Sequence, residues 1–372
     1  MKMKLFKNRQ SGQVLIMALI LLAVGSLLVI PLLRQSFTNL GYHQSIECQT
    51  LNSYSADAGL VYATAKIYGD SGTYTETPLE ESFELNGRTV NVTAIYQGGG
   101  VFSVNSTASG GGCGRTRIRA IVNISHGAFA FALAAKDSLG IYNSVVDSFP
   151  DSGDGDIHSN NTIDIAGPKK GQTAVNGDAT AVGTISGQEY VNGEVFPYSA
   201  NLTFPITNAE LYETIAKEGG THNGDLQYSG GGTHNVGPLY ITGNLIVDAW
   251  TVVVLEGPLY VLGYVQVNNG HIEGYEHIIC EGEVQIFGGG YGSEAIPVIT
   301  SLYSDITLQG PVVDAVLYAP NGTVALTNLE LFGAAGGFQV LVDNSYIWYS
   351  EKLHGRADLP GSELYPLTYS YD

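Results

Sequence analysis

Gly237-Pro238-Leu239-Tyr240-Ile241 recurs twenty residues later as Gly257-Pro258-Leu259-Tyr260-Val261. A second column runs beside it: Leu245-Ile246-Val247, Val265-Gln266-Val267, Val284-Gln285-Ile286, Ile306-Thr307-Leu308, Val324-Ala325-Leu326 and Val340-Leu341-Val342. Its steps are 20, 19, 22, 18 and 16 residues. Each triplet alternates in-out-in and is bounded by Gly or Asn. So short a period, filled only by strands and turns, reads as a β-solenoid in which every coil buries its inward residues against the next. Six such strands stacked at ~4.8 Å span roughly 25 Å.

Looser segments supply further coils: Asp156-Ile157-His158, Thr162-Ile163-Asp164-Ile165, Asn176-Gly177-Asp178-Ala179 and Val182-Gly183-Thr184-Ile185. The solenoid is assigned to residues 127–352. Residues 207–218 interrupt it as one short helix, capped by Thr207 or Asn208 and expected to pack on the flank through Leu211 and Ile215. Residues 353–372 form a cap or tail, with 365–371 expected to cover the final coil, since an open end invites edge pairing. Ahead of the solenoid, residues 71–126 alternate as ordinary strands around a Gly98-Gly99-Gly100 turn, predicting a small antiparallel sheet.

The chain opens on a basic tract, Lys2, Lys4, Lys7 and Arg9, followed by an uncharged run over 14–33; the first acid is Glu47. That run is long enough to cross ~30 Å of hydrocarbon. It is too long for a secretory signal and lacks an Ala-x-Ala site. The lysines keep the N-terminus cytoplasmic, which places the remainder outside as a single-pass, surface-displayed domain. A plain uncleaved anchor satisfies these facts. Past Arg34, however, the pattern stays helical: Leu51, Tyr54, Ala58, Val61, Ala65 and Tyr68 recur at steps of three and four and mark one face. The 55 residues from Val14 to Tyr68 make ~80 Å of helix.

In this order, the features resemble the stem of a type IV pilin, and more closely that of the PilX-like minor pilins. Those carry a basic tract, a Gly, a long aliphatic run and later an Ala-acid-Ala-Gly motif, matched here by Ala56-Asp57-Ala58-Gly59-Leu60. The resemblance covers about the first 70 residues. It implies a leader over 1–12 that a prepilin peptidase removes after Gly12, leaving Gln13 as the new N-terminus. It also implies a transmembrane helix over 13–34, a stem helix over 35–70, and packing against other pilin-like subunits. One departure matters: the Glu that major pilins carry five residues after the cut is Met17 here, which implies an accessory subunit rather than a bulk one. A second resemblance covers roughly 137–352. Val146-Asp147-Ser148-Phe149, Val175-Asn176-Gly177-Asp178, the Gly237 segment and Leu317-Tyr318-Ala319-Pro320-Asn321-Gly322-Thr323 look like a domain of unassigned function found on PilX-like stems. That domain is a right-handed parallel β-helix, and it brings no catalytic residues.

The net charge of −19 and the absence of any basic, aromatic-interleaved stretch exclude nucleic acid as a partner. Glycoside hydrolysis needs paired carboxylates ~5–9 Å apart. The candidates Asp248, Asp305, Asp314 and Asp343 share no column position, and no Lys or Arg lies between Lys217 and Lys352 to stabilise an enolate. No catalytic residues are therefore expected. Asp147, Asp151, Asp154 and Asp156 offer oxygen ligands for Ca²⁺, though without EF-hand spacing; the same run reads equally as a solvated loop. His271, His277 and Cys280 lack a fourth ligand. Cys48, Cys113 and Cys280 allow at most one disulfide; they read as small buried residues, with Cys113–Cys280 as the pair considered. Tyr291, Tyr303, Tyr346, Trp348 and Tyr349 read as cross-coil stacks and an end cap, or as a face for surface polysaccharide or protein. The fold class is mainly β: a long N-terminal helix, a small antiparallel sheet, then a parallel β-helix. The expected function is structural, by adhesion, as a spacer or tip, or in assembly. The alternatives are an anchored solenoid that self-associates and a carbohydrate-active enzyme.

Overall fold

The computed structural model describes residues 11–371 apart from 70, 99, 113, 126, 169–171, 289–294 and 311. The basic tract, Cys113 and Tyr291 thus lie outside the described residues. Ser11–Gly69 is one helix, α1, of 59 residues with Pro31 inside it. Its first half is long and apolar enough to cross a membrane, with a mean hydropathy of 2.8 and nothing in that window buried.

The second half changes at Cys48, where one face becomes buried: Asn52, Ser55, Ala56, Leu60, Ala63 and Ile67. This is not the face expected from the periodicity of the larger residues. Tyr54, Val61 and Tyr68 stay exposed, at 68%, 63% and 47%. The reason is proximity. At Gly59 an added Cβ would come within 2.3 Å of Ser106 Oγ and 2.6 Å of Val90 Cγ1. A helix lying this close to a sheet admits only small side chains, so the large ones sit on the opposite side. The Ala56-Asp57-Ala58-Gly59-Leu60 motif is this contact.

After the short helix α2 (Ser71–Glu76) comes the sheet that α1 rests on. Its strands are β1 (Leu79–Leu85), β2 (Arg88–Gly98), β3 (Val101–Ser109) and β4 (Arg115–Ser125), in that order and antiparallel. Alternation builds its core: Val90, Val92 and Ala94 on β2, Phe102 and Val104 on β3, Ile118, Ala120 and Val122 on β4 are all buried toward the helix. The fifth strand comes from far away. Glu363–Tyr371 pairs antiparallel with β4, from Glu363 opposite Ser125 to Tyr371 opposite Ile118. The tail therefore finishes the stem-proximal sheet and does not cover a coil of the solenoid. The last coil in sequence, residues 330–350, is already paired by Leu133–Tyr142 and Val145–Phe149 and leaves no edge to cover, whereas β4 offers unpaired edge amides.

Between β4 and that fifth strand lies a parallel β-solenoid of about ten turns. The six-triplet column pairs in the register its spacing predicts, Leu245 to Val265, Val284, Ile306, Val324 and Val340 in succession. The corners are turned at positive φ by Asn269, Asn328, Asn344 and Asn143, at 49–54°, where Asn is among the few side chains that tolerate the left-handed region.

The coil order is not the sequence order. Val340 pairs next with Leu139, then Leu139 with Ile163 and Ile163 with Ile185. The chain thus enters the stack in its middle, at Leu133–Tyr142, and climbs through Ile157–Ser159 and Ala179–Ala181 to Val195–Pro197. It then returns along one flank to the opposite end and climbs again from Thr221–His222 until Glu330–Asp343 meets the first coil. The junction is locked by aromatics: Tyr349 Oη donates to Phe129 O at 2.9 Å, and Phe129 packs edge-on against Tyr318 at 5.3 Å.

The returning segment, residues 198–219, is a strap. Asn160 holds Leu202 through its amide and carbonyl, both at 2.8 Å, and Tyr318 Oη donates to Pro205 O at 2.6 Å. The ammonium of Lys136 donates to Pro320 O at 2.9 Å and lies 5.9 Å from the Phe204 ring centroid. The strap ends in helix α3 (Ala209–Gly219), with Asn208 at its cap position. α3 packs through Ala209, Tyr212 and Ala216 onto Tyr240, Tyr260, Ile279 and Leu302. Leu211, expected on the packing face, is 55% exposed and Ile215 is only half-buried. The outward column beneath the helix is already filled by tyrosines, so the close-packing side is the one with alanines.

Candidate functional site

The stem carries the first candidate surface. Gly12 and Gln13 fall in the first turn of α1, and Met17 is 69% exposed. In the outer half, Tyr54, Val61 and Tyr68 form an apolar stripe on the side away from the sheet. Beside it, Tyr62 donates to Glu81, and Lys66 lies 3.6 Å from the same carboxylate. The hydrogen bond to Glu81 raises the Tyr62 pKa, and that to Tyr62 raises the Lys66 pKa. Cys48 is disulfide-bonded. Its sulfur accepts from Arg88 Nη2 at 3.3 Å and lies 3.6 Å from Gly111 O. Cys280 is a free, buried thiol, so the Cys113–Cys280 pair does not form. Burial pushes that thiol up to about 12.

The four aspartates of the 147–156 run take separate roles. Asp147 is buried, and its carboxylate accepts from Ser148 N, Ser152 Oγ, Gly153 N and Asn176 Nδ2 at 2.6–3.0 Å. Burial opposes its charge, but these donors outweigh burial and hold the carboxyl below the usual range. Asp156 instead caps the next coil by accepting from Asp178 N at 2.6 Å; burial, with the Asp178 and Asp154 charges, raises its pKa. Asp151 and Asp154 are exposed. Among the described residues, no three His, Cys, Asp or Glu side chains are grouped as a metal site.

The Asp156 arrangement repeats along the corners. Asp178 Oδ1 accepts from Glu194 N, Asp225 Oδ1 from Asn244 N, Asn244 Oδ1 from Tyr264 N and Asp305 Oδ1 from Thr323 N, at 2.7–2.9 Å. Each carboxylate or amide satisfies a corner N–H one coil away, which the strand ladder cannot reach. Sequence reading missed this ladder because Asp and Asn are favoured in any turn, so nothing in the sequence marks the ones that reach across to the next coil. Asp248 accepts from Gln227 Nε2 at 2.6 Å and Asn268 Nδ2 at 3.3 Å, and Asp343 from Asn143 Nδ2 at 3.2 Å. Asp314 is buried, one coil from Phe332.

His271, His277 and Cys280 do not converge. His271 Nε2 lies 3.2 Å from Glu273 Oε1, and burial lowers its pKa. His277 stacks on Tyr212 at 4.4 Å, and its Nε2 lies 3.0 Å from Tyr212 Oη and 3.1 Å from Asp358 Oδ2. Arg356 forks onto Asp358 and reaches Ile296 O and Tyr275 O. Burial opposes the Asp358 charge, yet Arg356 and His277 hold its carboxyl far below the usual range. This clasp ties α3, the coil at 277 and the segment leading to the fifth strand of the sheet. Of the aromatics, Tyr303 is 70% exposed, Tyr346 and Trp348 stack at 6.2 Å, and Tyr349 is buried at the junction.

No family model matches this chain, and no curated protein matches it. Among solved structures, the competence-associated pilin ComZ from Thermus thermophilus is similar at 11% identity, over 87% of this chain and 98% of that chain, with a TM-score of 0.31.

Proposed function

We propose that this chain is a membrane-anchored, PilX-like minor pilin or close equivalent, which displays an acidic β-solenoid outside the membrane. The observation that carries the reading is the division of α1. Its inner half is apolar and bare, while its outer half is buried on one side against a sheet and leaves an apolar stripe, Tyr54, Val61 and Tyr68, on the other. Neighbouring stems pack on that stripe and on the hydrocarbon-soluble half. Met17 in place of an acid suits an accessory position. The Cys48 disulfide fits an oxidising exterior. The solenoid serves as adhesin, spacer or tip toward surface polysaccharide or protein, and the reading gives it no catalytic role; in support, the Asp248 and Asp305 carboxylates are engaged in corner hydrogen bonds. The test is the mass of the native N-terminus. A chain beginning at Gln13 is expected, and an intact Met1 or Lys2 refutes the pilin route in favour of a plain anchor. One observation favours the second reading, an anchored solenoid that self-associates without a pilus: one end of the stack is open.

A further inference from the structure

The two ends of the solenoid are finished differently. At the Val195–Pro197 end the edge strands are two or three residues long, Pro197 removes a donor, and the turn Gln188–Tyr190 follows a left-handed Gly187. The chain leaves that end with Tyr198 N donating to Gly183 O and Ser199 N to Ala181 O in the coil beneath, and then runs down the flank to Asn160. A proline on an edge strand is one device that protects a sheet edge. The opposite end has edges just as short in Thr221–His222 and Leu226–Tyr228, but no proline on any of them. Thr221–His222, Leu226–Tyr228 and Gly232–Val236 each pair, among the described residues, with a single strand of the next coil. Helix α3 lies along the flank, against Tyr240 and Tyr260, and does not cross this end. The inward residues Leu226, Tyr228 and His234 are only half-buried, unlike their counterparts Leu245 and Val247 one coil in.

Hydrogen bonding fixes which groups point outward. Leu226 N donates to Asn244 O, and Tyr228 O accepts from Asp248 N. A parallel ladder alternates, so the Gln227 amide and carbonyl face the open side. By the same alternation Val236 O, which accepts from Glu256 N, leaves Thr233 and Asn235 facing out. These three strands contain no Asp, Glu, Lys or Arg, on a chain of net charge −19. The one acid between them, Asp225, is engaged by Asn244 N and Nδ2, both at 2.9 Å, so two copies approach here with no carboxylate on the facing strands themselves.

We propose that this end is a dimerisation surface, on which a second copy of the chain docks the same edge about a two-fold axis. The occupant follows from the shape. Three edges around one core are exposed together, and a single added strand satisfies only one of them. A second three-sided end satisfies all three. A two-fold axis across the stack reverses the sense of the partner's coil, so each edge meets its mate antiparallel, which hydrogen-bonds as well as parallel pairing does. The guarded far end stops further growth, so the product is a closed dimer rather than a fibre. Sixteen residues over 221–236, each losing ~40 Å², remove roughly 1,300 Å² from the two copies together, at the low end for a specific interface. The inference does not depend on where the stem resides.

The test uses the full chain in detergent, with its mass measured by sedimentation at micromolar concentration. A dimer is expected. Gln227→Pro and Thr233→Pro each remove an outward backbone donor without breaking a backbone hydrogen bond within the chain, although Gln227→Pro also loses the side-chain bond to Asp248, and each should weaken the dimer at least tenfold. Tyr303→Ser, an exposed change away from this end, should leave the mass unaltered. Slow hydrogen exchange at Leu245–Val247 verifies that the proline variants keep the next coil. A monomeric wild type, a dimer indifferent to both prolines (association through the stem), or open-ended growth would each overturn the proposal.

Discussion

The strap sets a length, and the length can be tested. From Pro197 to the start of α3 beside Leu302, the chain passes six coil steps, or ~29 Å at ~4.8 Å each. Twelve Cα–Cα links join Pro197 to Ala209 and reach at most roughly 42 Å, so the wild-type segment has slack of about two coils. Deleting residues 198–203 leaves six links, which reach at most ~21 Å. The shortfall of ~8 Å exceeds one coil spacing, so one end of the stack must give up at least a turn. An insertion of six Gly/Ser residues at the same place meets no such limit. Lengthening the loop from 11 to 17 residues costs only ~0.4 kcal/mol in closure entropy. Losing a coil removes several inward apolar side chains, each worth ~1.5–3 kcal/mol. Hydrogen exchange read by mass spectrometry separates the two. The deletion should expose amides of 179–197 or 221–236 while the junction at 133–142 stays protected, and the insertion should change neither. Full protection at both ends in the deletion variant would refute the strap as a length constraint.

Two further outcomes follow from buried groups. Asp147 has a depressed folded pKa, so the folded state binds fewer protons there than the unfolded chain. Its contribution is complete above the unfolded value of ~3.9 and fades as pH falls through the folded value. Asp147→Asn should cost ~1–3 kcal/mol at neutral pH, and the difference from wild type should shrink in acid unfolding below that range. Cys280, its thiol raised to about 12 by burial, should resist iodoacetamide at pH 8 in the native protein and react fully in denaturant, whereas Cys48 should react only after reduction.

Legibility tracked the range of the interaction. The triplet column from Leu245 to Val342 is a near-neighbour pattern, and its spacing alone gives the observed register. The coil order was not readable, because Val340 meets Leu139 across 201 residues and nothing in either triplet marks its partner. The stem existed in the pattern, but its buried face did not: aromatic periodicity marked Tyr54, Val61 and Tyr68, while contact with the sheet selects small residues such as Ala56 and Gly59. The same limit applies to Glu363–Tyr371, whose alternation suits a strand without saying which edge it joins. Among the candidate residues, the Asp147 run was found as a cluster. Its members then separated, because corner amides one coil away compete for the carboxylates.

The late strand also imposes an order of events. The stem and β1–β4 emerge first from the ribosome, yet β4 has no outer partner until Glu363–Tyr371 arrives, some 240 residues later. The coil at Leu133–Tyr142 likewise waits for Glu330–Asp343 on one side. A solenoid that usually grows coil by coil here closes at a central seam, so the chain holds two open edges until its last strands are made. Completion of the sheet and of the seam therefore waits for residues 330–371, and a chain cut short before them keeps both edges free to pair wrongly.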